Sequence, residues 1–169
     1  GSAQTAMPVI FIDANSGEKV FQYDNLQTQS ATGSGSSLYS GTVSIGTFKS
    51  GANYYLENTV RRVGTFDSRN TTTSVFRFAD VDNIWNSATQ RAAVDAHWGA
   101  EKTMNYYQSV HGRNGINGSG GPTFYNSING VGLISSKVHY STNYDNAFWN
   151  VSLMTYCDGN GTTFSPLTS

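Results

Sequence analysis

The chain has 169 residues, 10 of them basic and 11 acidic, and charged side chains make up only 12% of it. This near-neutral balance excludes a strongly basic nucleic-acid-binding surface, and no apolar run approaches the roughly 20 residues of a membrane span. With 3 Trp, 10 Tyr and 9 Phe, the composition excludes a disordered chain and suits one domain with a proper core. The single cysteine, Cys157, excludes an internal disulfide and is expected to be a buried strand residue.

The N-terminal part predicts a β-hairpin. Val9–Ile12 is a short apolar run, Asp13–Gly17 is rich in turn-forming residues, and Lys19–Tyr23 alternates in polarity. Ahead of the hairpin, Gly1-Ser2 is typical of a cloning remnant. After it, Gln27–Ser37 is small, polar and glycine-rich, so the sequence predicts a flexible linker there.

Short alternating runs between residues 38 and 78 predict an antiparallel sheet, because polar turns and glycines separate them. The runs are Leu38–Phe48, Asn53–Val60, Val63–Phe66 and Thr73–Phe78.

Two acidic residues, Asp80 and Asp82, stand in the loop that follows these strands. Carboxylates spaced in this way can share a hard cation such as Ca²⁺, provided that main-chain carbonyls and water complete a shell of six or more oxygens. The same two residues also suit a solvated loop before a helix, and the residues by themselves leave both interpretations open.

One long helix is predicted at about residues 87–111. Ser87 suits the N-cap with Gln90 as its capping-box partner, and Gly112 suits the C-terminal cap. Arg91, Glu101 and Lys102 are expected to be solvated. Small and apolar residues recur at helical spacing and predict the packed face: Ala92, Ala96, Ala100, Met104, Tyr107 and Val110.

Beyond the helix, residues 113–132 form a long Gly/Asn/Ser stretch that predicts a surface excursion with a small hairpin at Thr123–Ile128. Leu133–Tyr140 predicts a strand. Asn143–Ser152 combines aromatic side chains with amides, which suits an edge strand able to bind an extended peptide. Alternation places Phe148 and Trp149 on opposite faces, one toward the core and one toward a groove.

Seven segments resemble the thermolysin-like neutral metallopeptidases, a family of zinc-dependent enzymes that hydrolyse peptide bonds. They are Ala93–His97, Val110–Asn114, Ser136–Tyr140, Asn146–Asn150, Met154–Tyr156, Asp158-Gly159 and Gly161–Leu167. The resemblance covers most of residues 31–169 and implies the N-terminal domain of such an enzyme. The hairpin, with its Asp-Ala-x-x-Gly-Glu turn, resembles the end of the family's propeptide, so residues 3–30 are expected to be propeptide and linker. An ordinary terminal hairpin is the other interpretation.

The resemblance also implies site residues. The Asn146 side chain and the main chains of Ala147 and Trp149 would bind the substrate peptide, Phe164 would line the pocket beside the scissile bond, and Asp80 and Asp82 would bind surface calcium. Three positions depart from the family pattern: Val151 and Cys157 stand where glycine is usual, and Asn160 where aspartate is usual. A β-branched Val151 is not expected to adopt a positive φ, so the turn there is expected to shift.

The family's zinc ligands come from a helix bearing His-Glu-x-x-His and from a later Glu, and this pattern does not occur in the sequence. The three histidines, His97, His111 and His139, are expected to be structural or surface residues. No Gly-x-Ser-x-Gly elbow supports a serine mechanism either. No catalytic residue is therefore assigned, and zinc would be held by a C-terminal lobe that is absent from this chain.

Together these observations predict an α+β fold, mainly antiparallel β-sheet with one long helix. They predict the substrate-cleft lobe of a secreted zinc metalloendopeptidase, inactive alone, whose partners are a peptide substrate and the C-terminal lobe. Such a lobe could also be supplied separately. The alternative is a β-rich binding or adhesion module that reuses the lobe without catalysis. A His-Glu-x-x-His motif encoded beyond Ser169 would decide between them.

Overall fold

The structure is a computed structural model that describes residues 8–24 and 28–168, with the backbone alone for residues 23, 24 and 28. The predicted cloning remnant, Gly1-Ser2, and the first residue of the predicted linker, Gln27, lie outside the described residues. One helix, α1 (Arg91–His111), and fourteen strands occur within them: β1 (Pro8–Ile12), β2 (Lys19–Asp24), β3 (Thr28–Ser36), β4 (Thr42–Ser50), β5 (Asn53–Tyr55), β6 (Glu57–Asn58), β7 (Val63–Thr71), β8 (Phe76–Arg77), β9 (Ala79–Asp80), β10 (Ile84–Trp85), β11 (Tyr125–Asn126), β12 (Gly132–Tyr140), β13 (Ala147–Trp149) and β14 (Leu153–Tyr156).

The predicted N-terminal hairpin is present. Strands β1 and β2 pair antiparallel as a two-stranded sheet, and the rings of Phe11 and Phe21 lie 6.0 Å apart across it. The Asp13 carboxylate accepts hydrogen bonds from the main chain of Asn15 and Ser16, which closes the turn.

The glycine-rich stretch after the hairpin is a strand, so the prediction of a flexible linker is wrong for residues 28–36. This strand, β3, pairs with β4 along its whole length in a five-stranded sheet ordered β10-β3-β4-β5-β9. A Cβ at Gly35 would lie 2.7 Å from Val94 Cγ1, and a Cβ at Gly33 would lie 2.3 Å from Asn83 Oδ1. The small residues therefore allow neighbouring elements to approach the strand closely. The predicted domain boundary between residues 30 and 31 falls inside β3.

The second large sheet has seven strands. Its main order is β13-β14-β12-β7-β6, while β11 pairs with β12 and β8 with β7. Most strand pairs are antiparallel, as predicted, but β12 runs parallel to both β7 and β14. In this mixed sheet β14 lies between β12, which carries residue 139, and β13, which carries residues 147–149.

Helix α1 packs against strands of both large sheets. It begins at Arg91 rather than Ser87, because residues 87–90 form a separate turn in which Gln90 N–H donates to the Ser87 carbonyl. Gly112 ends the helix at φ 63°, as predicted. Ala92, Ala96 and Ala100 are buried, whereas Tyr107 and Val110 are exposed, so the predicted packed face is right only for its first half. The core cluster comprises Val43, Ile45, Leu56, Trp85, Ala93, Val94, Ala96 and Val138.

The helix also buries polar side chains, and the prediction of a solvated Glu101 is wrong. The Glu101 carboxylate accepts hydrogen bonds from Gly46 N–H at 2.9 Å and from the Asn58 amide at 2.5 Å. His97, one helical turn earlier, is fully buried and contacts the Gly46 carbonyl at 2.8 Å and Thr65 Oγ1 at 3.1 Å. These contacts join α1 to β4, β6 and β7. Arg91, also predicted to be solvated, is half-buried and donates to the Ser37 carbonyl.

The fold class is α+β and mainly β, as predicted. Among the described residues, no helix is both long and apolar enough to span a membrane.

Candidate functional site

Strand β13 forms the edge of the seven-stranded sheet, and β14 is its one strand neighbour among the described residues. The Asn146 carbonyl accepts a hydrogen bond from Cys157 N–H, and Asn150 N–H donates to the Leu153 carbonyl, each at 3.2 Å. In an antiparallel ladder only alternate residues bond to the neighbouring strand. The main-chain N–H and C=O groups of Ala147 and Trp149 therefore point away from β14, toward the free edge.

The side chains of this edge alternate in burial. Ala147 is exposed, Phe148 is half-buried with its ring edge-on to Tyr140 at 5.4 Å, and Trp149 is 42% exposed. Asn146 is half-buried, and its amide nitrogen lies 3.3 Å from the Tyr144 hydroxyl. The edge thus presents an indole ring, a side-chain amide and main-chain groups that do not pair with β14.

A compact loop lies next to this edge, and we call residues 158–166 the Phe164 loop. Its ends meet where Leu167 N–H donates to the Cys157 carbonyl at 3.0 Å. At its tip, the Asn160 carboxamide oxygen accepts from Thr162 N–H at 2.9 Å and from Thr163 N–H at 2.7 Å. Phe164 is 47% exposed. The loop therefore holds an aromatic ring at the surface on a hydrogen-bonded scaffold.

Two contacts attach the Phe164 loop to the rest of the domain. The Asn160 amide donates to the Asp145 carboxylate at 2.5 Å, which joins the tip of the loop to the residue before Asn146. The Tyr39 hydroxyl donates to the Pro166 carbonyl at 2.7 Å, which fixes the far end. The position of Phe164 is therefore coupled to that of the β13 edge.

A third attachment is the ion pair between His139 and Asp158 at the start of the loop. His139 Nδ1 lies 2.8–2.9 Å from both Asp158 carboxylate oxygens, and Nε2 lies 3.0 Å from the Thr89 carbonyl oxygen. Burial lowers the pKa of His139, but the hydrogen bond and charge of Asp158 outweigh it and raise the pKa above its ordinary value of 6.5.

The pair borders a cavity of about 550 Å³. The cavity combines apolar side chains with charged ones, and it is lined by Leu38, Asp67, Arg69, Asn70, Ala88, Thr89, Ala92, His139, Asp158 and Pro166. The cavity, with its histidine and two aspartates, thus borders the Phe164 loop, which in turn is joined to the segment before β13.

Comparison with known proteins decides the family. The model of the thermolysin metallopeptidase catalytic domain matches residues 32–169. This chain belongs to the thermolysin metallopeptidase family. It is 43% identical over 160 residues to bacillolysin of Brevibacillus brevis, and this alignment covers 93% of this chain and 27% of that protein. It is 41% identical over 169 residues to the transglutaminase-activating metalloprotease of Streptomyces mobaraensis, covering 95% of this chain and 20% of that protein.

The chain thus spans about a quarter of the length of these relatives of the thermolysin family. Among solved structures, the precursor of protealysin, a metalloproteinase from Serratia proteamaculans, superposes with a TM-score of 0.47 at 24% identity. That superposition covers 62% of this chain and 29% of the other.

The described residues do not fit the zinc centre that the thermolysin family implies. Within residues 8–24 and 28–168, no three His, Cys, Asp or Glu side chains converge on one point. His97 is enclosed by Thr65, Gly46 and Glu101, while His139 binds Asp158. His111 packs edge-on to Tyr106 at the exposed end of α1. The three histidines therefore lie in three separate environments.

The two candidate calcium ligands already cap a turn. Asp80 Oδ1 accepts hydrogen bonds from the N–H groups of Asp82 and Asn83, and Asp80 Oδ2 accepts one from Gln90 Nε2. Asp82 Oδ1 accepts a hydrogen bond from Ile84 N–H. All four bonds are 2.9–3.0 Å long. Burial raises the pKa of Asp80, but these hydrogen bonds outweigh it and hold the pKa below the ordinary value of 3.8. An ionised carboxylate that hydrogen bonds hold in a fixed orientation suits a cation, although two carboxylates supply only some of the oxygen ligands that calcium requires.

Two of the departures from the thermolysin family pattern have clear structural consequences. Val151 has a φ of 77°, so the expectation that a β-branched residue would shift this turn out of the left-handed region is wrong. The Asn150 side chain stabilises the turn by accepting from Leu153 N–H at 2.9 Å and from Ser152 N–H at 3.2 Å. Cys157 is fully buried, as predicted, and burial raises the pKa of its thiol.

Sequence reasoning assigned no role to His139, Asp158 or the Asp145–Asn160 link. His139 has a φ of 54° and lies where the register between β12 and β7 shifts, a bulge that redirects its side chain. Separations of 19 residues between His139 and Asp158 and 15 between Asp145 and Asn160 carry no local pattern. The one sequence feature that could have pointed to His139, Asp158, Asp145 and Asn160 is that all four lie in or beside segments that resemble the family.

Proposed function

We propose that this chain forms one wall of the substrate cleft of a secreted zinc metalloendopeptidase. The carrying observation is the free edge of β13, where Ala147 and Trp149 direct main-chain N–H and C=O groups away from the sheet. An extended peptide can add to such an edge as a further strand, with side chains on either side providing specificity.

In this proposal four residues contact the peptide. Ala147 and Trp149 bind its backbone, and Asn146 contributes an amide that can both donate and accept a hydrogen bond. Phe164, held by its loop beside the edge, lines the pocket for a bulky apolar side chain next to the scissile bond. The half-exposed state of Phe164 and Trp149 supports this role, because each ring still has apolar surface to cover.

We further propose that the zinc ligands belong to another part of the whole protein and that this chain alone does not hydrolyse peptides. The absence of His-Glu-x-x-His from the sequence supports this. Secretion is proposed with it, in keeping with the low content of charged residues and the family membership. Residues 3–30 are proposed to be the end of a propeptide, in keeping with a family match that begins only at residue 32.

Calcium binding at Asp80 and Asp82 is proposed as a separate property. Main-chain carbonyls and water would complete the shell, so we expect weak binding and a small rise of Tm in millimolar Ca²⁺ relative to a chelator. Asp82→Asn should abolish the rise. An equal rise in the variant would place the effect elsewhere.

Peptide binding can be tested on this chain by NMR. A soluble hexapeptide rich in Phe and Leu, titrated to millimolar concentration, should shift the amide signals of Ala147, Trp149 and Phe164. Ala147→Pro deletes an N–H that points away from β14, so the fold should survive while binding weakens several-fold. Phe148→Pro deletes an N–H on the side that pairs with β14 and should destabilise the sheet. Shifts elsewhere on the surface, or unchanged binding by Ala147→Pro, would contradict the proposal.

A further inference from the structure

The His139 ring is placed between two hydrogen-bond acceptors. Nδ1 faces the Asp158 carboxylate and Nε2 faces the Thr89 carbonyl, both within 3.0 Å. Neither a carboxylate nor a carbonyl donates a proton, so each ring nitrogen must carry its own N–H to make both bonds. Only the imidazolium form satisfies this geometry, and the neutral ring can keep just one of the two bonds.

These two bonds join three parts of the chain. His139 lies on the bulge of β12, Thr89 lies in the turn before α1, and Asp158 begins the Phe164 loop. The side chains of His139 and Asp158 are 18% and 34% exposed, so solvent replaces a lost bond only in part. Protonation of one ring therefore determines whether the loop is tied to both β12 and the start of the helix.

The other groups around the ring favour its positive charge. Asp67 on β7 acts together with Asp158 to raise the pKa of His139. Arg69 lines the same cavity, but its guanidinium stacks on Phe76 at 3.8 Å and its Nε lies 3.9 Å from Asp67. Phe78 contributes a ring at 6.3 Å. Two carboxylates thus face the imidazole against one arginine that is partly engaged elsewhere.

We propose that doubly protonated His139 is a positioning residue, which holds the Phe164 loop beside the β13 edge and loosens it when the ring loses a proton. The functional consequence rests on the proposed peptide-binding role of that edge, whereas the link itself does not. The contacts of the loop with Tyr39 and Asp145 do not depend on His139, and neither does the Leu167–Cys157 bond that closes its base, so the loop should loosen and shift rather than detach.

The direction of the pH dependence follows from the raised pKa of His139. The link should be complete below the ordinary histidine value of 6.5 and should be lost as the pH rises through the higher value of the folded protein. The peptide-binding wall should therefore be better ordered in neutral or slightly acidic solution than in alkaline solution.

An NMR titration of this chain from pH 5 to 9 tests the link directly. The His139 ring signals should titrate with a midpoint above 6.5. The amide signals of Gly159, Gly161 and Phe164 should follow the same midpoint, and their protection from hydrogen exchange should fall roughly tenfold across it, as for loss of a charged hydrogen bond.

Two variants and a control sharpen this test. His139→Asn removes the titrating group while retaining a residue type that tolerates a positive φ, and it should abolish the titration of the loop signals. Asp158→Asn keeps the shape of the side chain and should lower the His139 midpoint. His111→Gln, at the far end of α1, should leave the loop titration unchanged. If the loop signals do not follow His139 in the wild type, or still titrate in His139→Asn, the proposal fails.

The outcome is independent of the proposed function. The titration needs no peptide, so its failure would leave the β13 edge as a candidate binding surface. Failure of the peptide to bind β13 would likewise leave a positive titration standing as a property of the loop.

Discussion

At the scale of single residues, Val151 is a β-branched residue in a backbone conformation that such residues disfavour. Its φ of 77° lies in the left-handed region, although it is β-branched and 81% exposed. The exposed side chain gains little from packing, while the backbone costs about 1–2 kcal/mol relative to an ordinary conformation. The turn holds this geometry because Asn150 hydrogen-bonds across it.

Val151→Gly should therefore stabilise the domain by about 1 kcal/mol, since glycine adopts this φ without strain. Urea denaturation followed by fluorescence would measure the change. Val60 is a matched control, because it is 72% exposed in a turn but outside the left-handed region. Val60→Gly should destabilise by about 0.5–1 kcal/mol through unfolded-state entropy. Loss of stability in Val151→Gly would show that the left-handed backbone of Val151 is not strained.

Glu101 is a second residue whose contribution depends on its tertiary contacts. Burial raises its pKa, but hydrogen bonds and charge from His97, together with bonds from Asn58 and Gly46, outweigh burial and hold the pKa below the ordinary value of 4.5. A depressed pKa means that the stabilising contribution is present above pH 4.5 and is lost as the pH falls through the lower value of the folded state.

Glu101→Gln keeps the shape but not the charge, and it should lower the free energy of unfolding by about 1–2 kcal/mol at pH 7. The difference from wild type should be smaller at pH 3 than at pH 7, because the stabilising contribution declines as the pH falls below the ordinary value of 4.5 toward the lowered pKa of the folded state. Denaturation at both pH values would measure it. Glu18→Gln in the exposed hairpin should change stability by less than about 0.5 kcal/mol at either pH. An equal loss for Glu101→Gln at both pH values would exclude the electrostatic explanation.

At the scale of elements, β3 shows why a glycine-rich stretch can be a central strand. It pairs with β4 and β10, and α1 crosses it so closely that Val94 occupies the space where a Gly35 side chain would be. These small residues resemble a linker in sequence, but in the fold they allow the helix to pack closely onto the sheet. The element exists because of its neighbours rather than its own propensity.

Gly35→Ala should thus destabilise the domain by about 1–3 kcal/mol, because the added methyl group would overlap Val94. Gly99→Ala is the matched control within α1, where an added Cβ meets nothing within 4 Å. It should stabilise by up to about 1 kcal/mol through helix propensity. Thermal unfolding of the two variants should therefore shift in opposite directions. A neutral Gly35→Ala would mean that α1 can move away from β3 at little cost.

At the scale of the whole molecule, two features of the structure support the proposed peptide-binding role. The described residues offer a free sheet edge and a half-exposed Phe164, yet bring no three metal-binding side chains together. The proposed function assigns peptide binding to this chain and zinc chemistry to another part of the whole protein.

The purified chain should accordingly show no chelator-sensitive hydrolysis of casein or of a fluorogenic peptide, with or without added Zn²⁺. A full-length relative of the family, assayed in parallel, is the positive control. Peptidolysis by the chain that a chelator stops, and that survives further purification, would contradict the proposal.

Local chemistry determined much of this protein from the sequence alone. The hairpin follows from two alternating runs around a turn, the long helix from its 3.6-residue periodicity and Gly112, and the edge strand from its aromatic and amide content. The family followed from motifs that lie close together in sequence. Each of these features depends on residues near one another along the chain, so it can be read without knowing the fold.

The tertiary structure decided what depends on distant contacts. It made β3 a strand, buried Glu101 between the helix and two strands, and set β12 parallel to both of its main neighbours. It also joined His139 to Asp158 and Asp145 to Asn160, which ties the Phe164 loop to β12 and to the segment before β13. Burial and hydrogen bonding between segments far apart in sequence supply these energies, and no local pattern of residues encodes them.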